Sequence, residues 1–192
     1  MELRRWIQDQ HSGLRMLVKT NILAQVPAER LAEQPALGRN SIAWIIWHIT
    51  RCQDVAVNAI LRQTPQVLAQ KGWSDRLGLQ LRDIGTSMDD DEIAGFSAAV
   101  RIDALTAYWE AVCEKTRAWL KEFDPAILET TPDVDALLSR DPDTLLPGAS
   151  WVAGTWRGGP AAFFLGWLAL GHSYMHLGEM MAIRGELGIK GL

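Results

Sequence analysis

Apolar residues recur at three- and four-residue steps in four stretches of this chain. In the first, Leu3, Ile7, Leu14, Val18 and Ile22 fall on one face and predict a helix over residues 2–26, with Pro27 just behind its end. In the second, Ile45, His48, Cys52, Val55 and Ala59 share a face; Asn40 and Ser41 are both good N-caps, Pro65 lies beyond, and the helix is expected over 41–63. The third opens with a full start signal. Asp89 is the N-cap, Glu92 its capping-box partner, and Met88 with Ile93 a hydrophobic staple, so one helix is expected over 89–122 through Phe96, Val100, Ala104, Ala107, Val112 and Trp119. Pro160, preceded by Gly158 and Gly159, suits the first turn of the last helix, expected over 160–184 with Leu165, Leu168, Ala169, His172, His176, Met180 and Ile183 along one face.

Between these stretches the period lapses. KGWSDRLGLQLRDIGTS, within residues 65–88, reads as a crossover or a lid over one end of a bundle. Residues 124–159 hold Pro125, Pro132, Pro142 and Pro147, which excludes a further long helix and leaves room for a short one at VDALLSR. Four long helices joined by long crossover connections predict an all-α protein, an antiparallel four-helix bundle forming one domain over residues 1–192. No internal repeat, low-complexity tract, dinucleotide fingerprint or phosphate-cradling glycine loop interrupts this pattern.

Charge narrows the classes of partner. Lys and Arg total 19 against 23 Asp and Glu, the net charge is -4, and the cations never gather into a stripe, so no nucleic-acid partner is expected. The uncharged run PAAFFLGWLALG is too short to cross ~30 Å of hydrocarbon and leads into ionisable residues, so it reads as a buried bundle helix and no membrane partner is expected. Cys52 and Cys113 both lie inside helical patterns, which argues against a disulfide framework; with a charged rather than apolar N-terminus, this fits a cytoplasmic protein. The 9 Trp are spread over helices and connections, and most are expected to be structural anchors. Together with the apolar last helix they exceed what one small core needs, and a twofold homodimer is expected.

The candidate chemistry lies in three histidines. His172 and His176 stand four apart, roughly 6 Å along one helix face, and His48 sits on the apolar face of the second helix. The plain alternative is that each ring is satisfied by its own hydrogen bond within the core. Both rings of the pair occupy one apolar strip, however, and a divalent ion shared with His48 would satisfy all three. Three neutral imidazoles leave the ion's charge uncompensated, so an open position would hold water, hydroxide or an anionic substrate atom such as a thiolate; that arrangement is catalytic rather than structural. Glu179 can accept the second ring N–H of a ligating histidine, act as a base, or simply be solvated. His11 shares the face of Ile7, Leu14 and Val18 and reads as a partly exposed residue near the seam or as a pocket residue. Cys52, one turn beyond His48, reads as a small hydrophobe rather than a fourth ligand.

These residues, His48 in AWIIWHITRCQD and His172 with His176 in GWLALGHSYMHLGEM, resemble the DinB-like (DinB/YfiT) superfamily of metalloenzymes. GWSDRLG and MDDDEIAGF resemble the connecting region of one subgroup, while HLGEM departs from the commoner HRGQ-type ending, which leaves the three histidines in place and the neighbouring pocket chemistry open. The resemblance implies a helical bundle in which His48, His172 and His176 bind a divalent metal, zinc or nickel among others. It also implies a metal-dependent enzyme acting on a small electrophile, with a low-molecular-weight thiol such as mycothiol, bacillithiol or glutathione as cosubstrate of an S-transferase. A metal-activated hydrolase and a non-catalytic metal-binding stress-response bundle stay open beside it, and the family name implies no action on DNA.

Overall fold

The computed structural model describes residues 2–36, 38–70 and 72–191, and all regular elements among them are helical. Helix α1 (Leu3–Val18) buries Ile7, His11, Leu14 and Val18, the stripe read from the sequence save for Leu3, which stands exposed in the first turn. It then widens into a π-helical turn, Lys19–Leu23, in which the Ala24 N–H reaches back to the Lys19 carbonyl at 2.9 Å. Helix α2 (Ile42–Gln53) starts at Ser41, whose Oγ accepts from the Trp44 N–H at 3.0 Å, and continues as a π-helical stretch, Asp54–Leu61.

Every residue from Ile42 to Leu61 is buried, so this rod is enclosed on all sides rather than amphipathic. Its charged members are satisfied internally, whereas the Trp47 indole N–H is buried without a partner. Asp54 Oδ1 accepts from the Val67 N–H at 2.9 Å, and its Oδ2 accepts from the Tyr108 hydroxyl at 2.7 Å and the Leu68 N–H at 3.1 Å. The Arg51 guanidinium donates to Tyr108, Gln66, Asp54 and the carbonyl of Asp83. The connection after α2 thus supplies the partners that water would otherwise provide.

That connection carries the short helix α3 (Trp73–Leu77) between Gly72 and Gly78, both at positive φ (64° and 74°), where a side chain would be strained. The third predicted helix is two helices: α4 (Asp90–Ala99), opened by the expected Asp89–Glu92 capping box, and α5 (Ile102–Leu120). Val100 and Arg101 are extended between them. The Arg101 N–H pairs with the Leu77 carbonyl at 3.0 Å instead of continuing the helix, so α3 dictates the break. Beyond α5 lie α6 (Val134–Arg140), over the VDALLSR segment, and α7 (Ser150–Trp156), for which the sequence carries no signal. The last rod is α8 (Ala161–Phe163), a π-helical stretch Phe164–Gly171 and α9 (His172–Glu186), continuous because the junction residues keep helical dihedrals.

Residue pairs between rods fix their directions. Gln8 donates to the Leu120 carbonyl at 2.7 Å and Arg15 bonds Glu110, so α1 and α5 are antiparallel. The α2 segment packs on α9 and its π-helical continuation on Phe164–Gly171, which makes those rods antiparallel too. In contrast, Ser41 meets Ser97, Trp47 meets Tyr108 and Gln53 meets Thr116, so the α2 rod runs parallel to the chain from α4 into α5. Tyr174 donates to the Gln10 carbonyl and Arg184 to that of Asn21, so α9 is parallel to α1. The expectation of an antiparallel bundle therefore fails for these last two pairs, because the crossover returns the chain to the end from which α2 began. Trp44, Trp47, Trp73, Trp109 and Trp156 are buried anchors, but Trp6, Trp151 and Trp167 stand exposed. Among the described residues no helix is long and apolar enough to cross a membrane.

Candidate metal centre

His48 faces the interior from α2, and His172 and His176 face it from the first turns of α9. His48 Nε2 lies 3.4 Å from His172 Nε2, which lies 3.1 Å from His176 Nε2. One ligand atom from each ring lies within 4.8 Å of the others. Tetrahedral nitrogens bound to zinc at ~2.0–2.1 Å stand about 3.3–3.4 Å apart, close to these separations.

The tautomers are fixed from behind. His48 Nδ1 donates to the Ile84 carbonyl, an acceptor only, and His176 Nδ1 donates to Glu179 Oε2 at 2.7 Å. In the neutral rings both Nε2 atoms therefore carry lone pairs. His172 Nδ1 is buried without a partner, and its Nε2 can offer one N–H at most between two acceptors. The three rings cannot satisfy one another by hydrogen bonds, whereas a divalent cation takes all three lone pairs at once. The cluster can hold such an ion. Burial, reinforced by the neighbouring His172, lowers the pKa of His48 to about 3, and burial with His176 lowers that of His172 to about 4, so both are neutral ligands at ordinary pH.

A shell of packing holds these rings in place. Trp44 stacks on His48 with centroids 5.0 Å apart and planes 8° from parallel. Behind Trp44 lies Gly85 at φ 80°, where an added Cβ would come within 3.3 Å of the indole. The Gly85 N–H is held by Asp83 Oδ1 at 2.7 Å, and Arg51 holds the Asp83 and Arg82 carbonyls. Arg51, one turn past His48, thus anchors the backbone whose Ile84 carbonyl orients His48. Glu179 is half-buried with both oxygens engaged, since Asn40 Nδ2 donates to its Oε1 at 2.7 Å. The His176 hydrogen bond, aided by Asn40 and opposed by burial, holds its carboxyl below the usual range.

The remaining candidates lie elsewhere. His11 is buried rather than partly exposed, only 2% accessible, and its Nε2 accepts from Gln53 at 3.1 Å. Burial, with Arg15 nearby, lowers its pKa to about 4. Cys52 is buried near the cluster but does not belong to it, and burial raises its thiol to about 12, far from a ready thiolate. Both cysteines are free.

A cleft of about 490 Å³ opens beside the centre and is lined by His48 and His172 but not by His176. Several of its walls come from α7 and from Ile84, Thr86 and Ser87 in the connection before α4, segments whose sequence carries no periodic signal. The Asn40 contact and the Ile84 carbonyl were also hidden in the sequence: Asn40 reads there as a cap, and a carbonyl in an aperiodic connection leaves no trace. Trp44 was not singled out from the sequence, although a spacing of four residues places it on the His48 face.

Comparison with known proteins agrees with this geometry. A family model described as the DinB superfamily matches residues 16–180. A crystal structure described as that of the conserved protein of locus from Enterococcus faecalis superposes with a TM-score of 0.70 at 20% identity, covering 98% of this chain and 99% of that one, a likeness of fold. No curated protein matches the chain.

Proposed function

The chain belongs to the DinB superfamily, and from that premise we propose that it is a divalent-metal-dependent enzyme acting on a small electrophile. His48, His172 and His176 are its metal ligands and zinc or nickel its metal. The observation that carries this reading is the meeting of three Nε2 atoms, two with lone pairs fixed by acceptors behind them, beside a cleft that reaches two of the rings. A bound divalent ion supplies Lewis acidity and lowers the pKa of a water or thiol that meets it. Glu179 orients the His176 ring and increases its basicity; with both oxygens occupied, it favours this part over that of a free base. The nucleophile we favour is a low-molecular-weight thiol, which makes the reaction an S-transfer.

The test has two stages. Metal analysis of the purified protein should give one divalent ion per chain, lost in the H48A/H176A variant; an unchanged content would refute the site. The zinc-, nickel- and manganese-loaded proteins are then screened against model electrophiles with each thiol and with none, alongside H172A. Thiol-dependent turnover lost in H172A supports the transferase. Turnover without thiol replaces it by a metal-activated hydrolase, and metal binding without any turnover by a non-catalytic metal-binding bundle.

A further inference from the structure

The cleft beside the histidines is lined mainly by aromatic side chains. Five aromatic side chains line it, Trp44, Trp151, Trp156, Phe163 and Trp167, with Ile84, Val152 and Leu168 between them. Its polar lining is three hydroxyl residues, Thr86, Ser87 and Thr155, together with the edges of His48 and His172. No Asp, Glu, Lys or Arg lines it among the described residues. Trp151 and Trp167 are 61% and 46% exposed and stand at its mouth, whereas Trp156 is buried in its wall. The Trp167 ring lies 6.0 Å from that of His172, so the aromatic lining extends to the metal ligands.

We infer that this cleft binds a flat, uncharged aromatic molecule, which is the electrophile or the body that carries it. Indole faces gain from stacking on a second π-system, and the large side chains cost little entropy to order. With no metal bound, a carboxylate in the same space would lose its hydration, because none of the lining residues carries a cation to replace it. The hydroxyls can accept or donate to a phenol or carbonyl without demanding charge. This inference rests on the metal-centre reading only for where the reacting atom sits, at the His48 and His172 edge. It also places the charged groups of any thiol cosubstrate outside the cleft.

A second apolar groove, of about 480 Å³, provides the control. It lies between α1 and the last rod, is lined by Leu3, Trp6, Leu128, Leu165 and Tyr174, and reaches none of the three histidines.

The experiment measures binding of 2-naphthol and 2-naphthoate to the metal-free protein by equilibrium dialysis, which keeps it independent of metal and turnover. The expected result is that naphthol binds and naphthoate binds at least about tenfold more weakly. W151A/W167A should weaken naphthol by about tenfold or more, and W6A should leave it unchanged. Circular dichroism and metal content of each variant report whether fold and centre survive. Equal or tighter binding of naphthoate, no naphthol binding, or a loss confined to W6A overturns the inference. Any of these with the metal stoichiometry intact overturns the cleft alone, whereas loss of metal binding with naphthol binding retained overturns the metal centre alone.

Discussion

At the scale of single residues, the side chains behind the histidines make the most direct predictions. Glu179→Gln removes the charge that holds the His176 ring and should lower metal affinity by about 10–100-fold, as read by competition with a chelator; an unchanged affinity would show that the Glu179 charge does not tune the site. Arg51→Met should also weaken metal binding, because it releases the Asp83 and Arg82 carbonyls beside the one that orients His48. Calorimetric titration at a temperature where the variant is folded checks this. His11 makes a prediction about pH. Its pKa falls from an ordinary 6.5 to about 4 in the folded chain, so as the pH drops below 6.5 the unfolded chain takes up a proton that the folded chain refuses. Stability contributed by the neutral ring is therefore full above pH 6.5 and is lost down to about pH 4, on the order of 3 kcal/mol. Urea midpoints of His11→Gln should fall less between pH 7.5 and 4.5 than those of the parent, and parallel curves would dismiss the effect. The three histidines were legible because imidazoles stand out on apolar faces. His11 sits on such a face too, but its partner Gln53 is polar and on another helix, so its burial could not be read from its own segment.

At the scale of elements, the helix starts were legible and one internal break was not. Ser41 and the Asp89–Glu92 box are local signals, set by side chains a few residues from the backbone they cap, and both caps form. Ser41→Ala should cost about 1–2 kcal/mol in urea unfolding, since it also strips the buried Trp44 N–H of its acceptor. The break at Val100 and Arg101 has no glycine or proline to announce it; it depends on a carbonyl of α3, more than twenty positions earlier, and only the packed structure supplies that partner. The α2 rod shows the same limit from the other side. The period of its apolar face says nothing of Arg51, Asp54 and Asn58, which are buried because segments from the crossover and α5 enclose and satisfy them. Gly178, exposed within α9, has no atom within 4 Å of the place a methyl group would take, and it offers a gain: Gly178→Ala should stabilise the fold by about 0.5–1 kcal/mol.

At the scale of the whole molecule, period and proline placement revealed an all-helical chain, but not that α2 and α5 run the same way, because direction depends on where a long connection lands. For the twofold dimer we propose from the surplus of large apolar side chains, light scattering should report twice 21.4 kDa; a monomer mass across a wide concentration range would remove that proposal. The centre joins His48 to His172 across 124 positions of sequence. An ion that needs both binds the folded chain and leaves the unfolded one bare, adding about 2.7 kcal/mol when it is present at a hundred times its dissociation constant. Metal supply would then govern survival as well as chemistry: loaded copies would resist proteases, stripped copies would be digested first, and the intact pool would track the metal status of its surroundings.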